Sequence, residues 1–173
     1  MKFSAAIAAL RPTAAGAALK ATAAAVAVMS TAAMTFAPPA SATMWLGNYK
    51  VNMPDRRDFH TWIFSALTPC YKPDGNQKSL DDCIHVMTIP QPVAKADSNP
   101  ADAYLVNGQY TMAIDEFFGL RCGDIYYGPT VPTHDVYTWD ANTLSGQMTS
   151  TFDAGCDGAP GGTLTYPFSL SRM

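Results

Sequence analysis

The side chains from which acid–base or metal chemistry would be built are few: three histidines, His60, His85 and His134, and 14 Asp/Glu. No two histidines stand two or four residues apart, the spacings that would present both to one ion. His60 and His85 fall in strand-like runs beside Phe59 and Ile84 and read as strand residues. His134 is followed by Asp135, but neighbours in an extended chain point to opposite faces. A small nuclease would need His and Glu with an Arg on the phosphate. Glu116, Arg121 and His134 supply the types, without the basic stripe that a phosphate backbone demands. A hydrolase nucleophile would need a Gly-x-Ser-x-Gly elbow or a free thiol, and the sequence offers neither. The carboxylate pairs Asp81-Asp82 and Asp115-Glu116 are adjacent rather than set apart for opposed acid and base roles. Asp153 and Asp157, with the carbonyls of 155–162, fit no calcium-loop spacing. The expectation is a chain with no catalytic residues, no metal and no cofactor.

Binding chemistry is better represented. Asp55-Arg56-Arg57-Asp58 precedes an aromatic run that contains Trp62. This is a charged turn with local Arg–carboxylate pairing or, read functionally, a recognition patch, because arginine beside aromatics is typical of interface hot spots. Tyr126-Tyr127, near Pro129 and Pro132, makes an aromatic loop suited to stacking on a sugar or a peptide. The candidate ligand-binding residues are therefore Arg56, Arg57, Trp62, Tyr126 and Tyr127.

Whatever positions these residues lies after a segment that reads as an address. Of the 173 residues, 48% are hydrophobic and only 14% charged. Residues 1–42 hold 18 alanines, three Lys/Arg and no Asp/Glu. Lys2, Arg11 and Lys20 form a positive n-region, residues 21–36 an uncharged h-region, and Ala40-Ser41-Ala42 a small-x-small cleavage site behind Pro38-Pro39. The alanine-rich run is short of the roughly 20 strongly apolar residues that a span needs. No Arg-Arg pair marks a twin-arginine signal. A Sec-type signal cleaved after Ala42 is expected, leaving residues 43–173 as one secreted domain that does not span the membrane. That mature chain has eight Lys/Arg against 14 Asp/Glu, a net −6, which disfavours nucleic acid as a partner.

Cys70, Cys83, Cys122 and Cys156 all lie in the mature part. An even count in an exported chain reads as two disulfides, with three pairings open. Cys70–Cys83 and Cys122–Cys156 are preferred, because each closes a local loop between neighbouring strand candidates. Zinc is disfavoured by the lack of any C-x-x-C.

Strand-period patterns recur over 46–53, 59–66, 84–89, 104–106, 109–114, 136–139, 147–152 and 163–170. Asn107-Gly108 is a two-residue hairpin signal, since a type I′ turn needs positive φ at both central residues. Residues 140–146 (DANTLSG) form a longer hairpin loop: Trp139 ends a strand with its ring in the core, Asp140 caps the turn, and Gly146 is expected to supply the positive φ. Residues 91–102 and 128–134, with their prolines, read as loops. Pro167 suggests an edge strand or a bulge. The fold class is all-β: an antiparallel sandwich or small barrel of about eight strands.

Taken together, Tyr49-Lys50-Val51, the run 55–62, Gly123-Asp124 after Cys122, the stretch 137–146, Cys156 and the terminal Phe168-Ser169-Leu170 resemble small secreted proteins of mycobacteria and related actinobacteria. The Trp-Asp-Ala-Asn-Thr-Leu-Ser-Gly stretch is the most specific part. The resemblance implies export and a β-rich disulfide fold, and it carries no catalytic residue over. The functional expectation is an exported, non-enzymatic β-domain that binds or associates structurally at the cell envelope or outside the cell, with an envelope glycan, lipid or host protein as partner. The alternatives are a small extracellular enzyme, or a carrier whose hollow barrel is lined by residues such as Met87, Leu105 and Met112.

Overall fold

Alternating apolar and polar side chains lay down eight strands: β1 (Gly47–Asn52), β2 (Thr61–Pro69), β3 (Cys83–Pro90), β4 (Asn99–Val106), β5 (Gln109–Arg121), β6 (Thr130–Asp140), β7 (Ser145–Ala154) and β8 (Pro160–Arg172). The computed structural model describes residues 43–56, 61–90 and 97–173. The expected signal segment 1–42, Arg57 and His60 lie outside the described residues. Each strand pairs antiparallel with the next, and β8 returns to β1 through partners such as Val51↔Leu170, closing a barrel. Closure leaves no strand with a wholly free edge, although β8 before Ser169 has no partner on β1. It also resolves the expected choice between sandwich and barrel.

Two prolines misled the strand boundaries. Pro100 and Pro132 made the starts of β4 and β6 read as loop, yet both residues lie inside strands. Pro132 faces a bulge: Glu116 pairs with Thr133 and Leu120 with Val131, so Phe117, Phe118 and Gly119 stand opposite Pro132 alone. A residue without an N–H is tolerated where the ladder is already interrupted. Pro167 keeps its register with Gln147 of β7, but the β1 pairing stops at Ser169. One flank of β8 is therefore open at Pro167, the local equivalent of the edge position expected there.

The barrel has two unlike ends. At one end lie residues 43–46, which lead into β1, the β2–β3 loop, and the turns after β4 and β6. Asn107 and Gly108 have φ of 52° and 79°, as the type I′ turn requires. In the β6–β7 loop the Asp140 carboxylate accepts the N–H groups of Asn142 and Thr143 at 2.9 and 2.7 Å. Positive φ falls on Leu144 (55°) rather than on Gly146. Gly146 is needed for a different reason: a Cβ there would overlap the Thr138 carbonyl and the base of Trp139. Cys70–Cys83 staples this end. The opposite end, here called the mouth, gathers the β1–β2, β3–β4, β5–β6 and β7–β8 connections, with Cys122–Cys156 tying the last two together. Both disulfides are those expected from the local-loop argument.

The interior is filled with side chains. Phe64 meets Tyr137 edge to face at 5.2 Å between centroids, and Tyr110 stacks on Trp139 at 5.2 Å. Tyr49, Ile84, Met112 and Met148 complete the packing, each at most 2% exposed. Such aromatic contacts add about 0.5–1.5 kcal/mol per pair beyond area burial. Met112 is thus a packed core residue, Leu105 packs against that core, and Met87 lies off the inner row formed by Ile84, Val86 and Thr88. These residues do not line a hollow lumen. Outward positions carry polar residues such as Thr111, Gln147 and Thr151 together with exposed apolar ones such as Val106 and Phe117.

Candidate functional site at the barrel mouth

The inward rows of β5 and β6 are apolar until they approach the mouth, where they place Glu116 and Asp135, each 1% exposed, inside the barrel. Arg56, leaving β1 at the same end, turns inward and is 5% exposed. Its guanidinium lies 3.6 Å from Asp135 Oδ2, and Nη1 donates to Met148 Sδ at 3.1 Å. Nη2 donates to the Gly119 carbonyl, and the group sits over the Tyr166 ring at 5.2 Å. Ser150 Oγ donates to the other Asp135 oxygen at 2.5 Å.

The β5 bulge accounts for much of this arrangement. Interrupting the ladder leaves backbone groups that need other partners. Arg56 takes the Gly119 carbonyl, and Glu116 Oε1 accepts the Phe118 N–H at 3.1 Å. Glu116 Oε2 accepts from Asn99 Nδ2 at 3.1 Å, tying β5 to the start of β4. Burial holds the Glu116 carboxyl above the ordinary glutamate value, against the Phe118 and Asp97 N–H groups that pull it down. Burial likewise pushes the Tyr137 phenol up.

Above this network lies a groove of about 810 Å³. Its floor is apolar: Met53, Pro54 and Phe168 from the two sides of the β1–β8 seam, with Pro167 beside them. Trp62 forms one wall. Thr61 pairs with Pro90 and Ile63 with Ile89, so Trp62 is the extra residue of a second bulge, a device that re-aims a side chain. Ile125 and Tyr126 of the β5–β6 loop complete the apolar part. Asp124 shapes that loop by accepting the N–H groups of Tyr126 and Tyr127 at 2.9 and 2.8 Å, and Arg121 Nη1 donates to the Tyr126 carbonyl at 3.2 Å. Lys50, Asn52 and Ser169 supply the polar side; Asn52 and Ser169 are register partners across the seam.

Of the residues singled out in the sequence, Arg56, Trp62 and Tyr126 meet at this groove. Arg56 is buried rather than exposed, and Asp135 is a carboxylate partner far from it along the chain. Tyr127 is 85% exposed beside Tyr126, with 6.2 Å between ring centroids, and is not part of the lining. Lys50, Asn52, Met53, Ile125 and Phe168 were missed. Nothing local marks them, since the β1–β8 seam exists only once the barrel closes.

The remaining candidates do not assemble. His134 and Asp135 point apart, as expected: Asp135 inward, and His134 outward to Asp115, Nδ1 to Oδ1 at 2.7 Å. His85 makes a matching outer-face pair with Asp102 at 2.7 Å. His134 and Glu116 border a second cleft of about 420 Å³, but Glu116 spends its oxygens on the bulge and β4, while Arg121 holds the mouth loop. Among the described residues, the one cluster close enough to share an ion is Cys70, Cys83 and Asp102, and its two cysteines are joined as a disulfide. No family model, curated protein or solved structure matches this chain.

Proposed function

We propose that the protein is an exported, non-enzymatic binding domain whose mouth groove takes an amphiphile of the cell envelope. The observation that supports this most is the two-part lining of one groove. Trp62, Ile125, Tyr126 and Phe168 line it together with Lys50, Asn52 and Ser169, of which the last two are register partners across the seam. An acyl chain or comparable apolar body would lie on the former, and a hydroxylated or anionic head would face the latter. Recognition sites are commonly built in this way, from apolar walls and a few placed polar groups. Two disulfides suit an oxidising compartment, in keeping with the export signal read in residues 1–42.

The test is titration of the chain 43–173 with lysophosphatidylglycerol below its micelle concentration, followed by tryptophan fluorescence. Saturable quenching or enhancement is expected, weakened about tenfold by Tyr126→Ala, the loss of about 1.4 kcal/mol of contact. No saturable change, or equal binding by Tyr126→Ala and Trp62→Phe, contradicts the proposal. Turnover of the probe that is abolished by His134→Ala would favour an enzyme instead.

A further inference from the structure

At the end of the barrel away from the mouth, residues 43–45 are held by the barrel. Thr43 Oγ1 donates to Asp81 Oδ1 at 2.6 Å. The Met44 N–H donates to the Tyr110 hydroxyl at 3.1 Å, and the Met44 side chain is 3% exposed within the core cluster. The Trp45 carbonyl accepts the Tyr49 hydroxyl at 2.8 Å. Three consecutive residues are thus fixed by three different parts of the barrel, starting at the residue that cleavage after Ala42 would make the first.

We infer that the α-ammonium created at Thr43 by signal cleavage docks on the Asp81 carboxylate, so that processing itself completes this end of the barrel. The inference rests on the export reading above. Hydrolysis of the Ala42–Thr43 amide puts the water oxygen on the Ala42 carboxylate and leaves the Thr43 nitrogen as a protonated amine. That nitrogen is three bonds from Thr43 Oγ1, about 3–4 Å, which places the new cation within about 7 Å of a carboxylate already bound to the same residue. Before cleavage the nitrogen is a neutral amide, and the Thr43 hydroxyl is the group of residues 43–46 that bonds Asp81. Asp81 and Asp82 lie together in the β2–β3 loop, so the new positive charge also relieves repulsion between neighbours of like sign. Thr43, Trp45, Leu80 and Asp81 border a pocket of about 560 Å³ beside this contact.

The test compares four purified chains: 43–173 as such, the same with Gly-Ser placed before Thr43, and Asp81→Asn in each. The extension keeps the Thr43 hydroxyl and moves the ammonium away. In low salt at pH 6, Asp81→Asn is expected to lower the midpoint temperature of the unextended chain by about 2–4 °C, an exposed-pair effect in a domain of this size. In the extended chain the loss is expected to be half of that or less, and the difference should shrink in 0.5 M salt. An equal loss in both backgrounds, or none in either, overturns the inference. Mass spectrometry of the exported protein checks the cleavage reading separately. A terminus other than Thr43 would sink that reading while leaving the four melting curves to judge the ion pair.

Discussion

Arg56 is where the chain places its most demanding charge. Removing one partner of a buried ion pair leaves an uncompensated charge, which costs about 3–5 kcal/mol. Arg56→Met is accordingly expected to lose that much stability in urea denaturation, and Arg56→Met with Asp135→Asn to recover part of it, because the stranded carboxylate is gone. A cost below about 1 kcal/mol for the single variant would mean that the network is not what holds the mouth. Glu116 makes a prediction of opposite sign with pH. Its folded pKa is raised above 4.5 by burial, so the native state keeps a proton that the unfolded chain has already released. This contribution to stability is fully present below the unfolded value and is lost as pH rises through the folded one. The stability of Glu116→Gln minus that of the native protein should therefore climb with pH across the interval just above 4.5 and be level below it. A flat difference across that interval contradicts the assignment. Glu116 was not legible: the strand pattern was followed only to Ile114, which left Asp115-Glu116 as solvated loop charges, whereas β5 runs on to Arg121 and turns Glu116 inward in phase with Tyr110, Met112 and Ile114. Nor was the Arg56–Asp135 pair, since 79 positions separate its members and each has closer opposite charges along the chain.

At the scale of elements, the bulges do the positioning. The β5 bulge accommodates Pro132 and presents the Gly119 carbonyl to Arg56. It requires glycine, because a Cβ at 119 would overlap the Thr133 side chain. Gly119→Ala is expected to cost about 1–3 kcal/mol through forced repacking, read as a lower urea midpoint, whereas Gly158→Ala, whose Cβ would meet nothing, should disturb the packing around it little beyond the strain of its positive φ. All eight strands were legible in outline, from alternation, from aromatic and β-branched runs and from turn signals, and both disulfides from the loops that they close. The ends of β4 and β6 were hidden by Pro100 and Pro132, whose tolerance depends on what lies across the sheet. The disulfides sit at opposite ends and should act separately. On the chain-entropy view, replacing Cys70–Cys83, a ring of about 14 residues, costs about 3 kcal/mol, and replacing Cys122–Cys156, with its larger ring, somewhat more. Only the second staples the loop that carries Tyr126, so its loss should weaken ligand binding as well as stability.

Over the whole molecule, closure turns a run of hairpins into a site. The pairing of β1 with β8 joins the two ends of the described chain, and it brings Lys50 and Asn52 beside Ser169. No pattern within either strand announces that seam, which is why sandwich and barrel stood level in the sequence and why half of the groove went unseen. With the interior packed by Phe64, Tyr110, Tyr137 and Trp139, a ligand is expected on the mouth rather than in the lumen. The most direct test is the map of amide shifts in the ¹⁵N-labelled chain 43–173 titrated with lysophosphatidylglycerol. The account predicts saturable changes confined to the end of β1, Trp62, Ile125–Tyr126 and the Phe168–Ser169 stretch of β8. Changes centred on His134 or on the Thr43 end, or none that saturate, would contradict it.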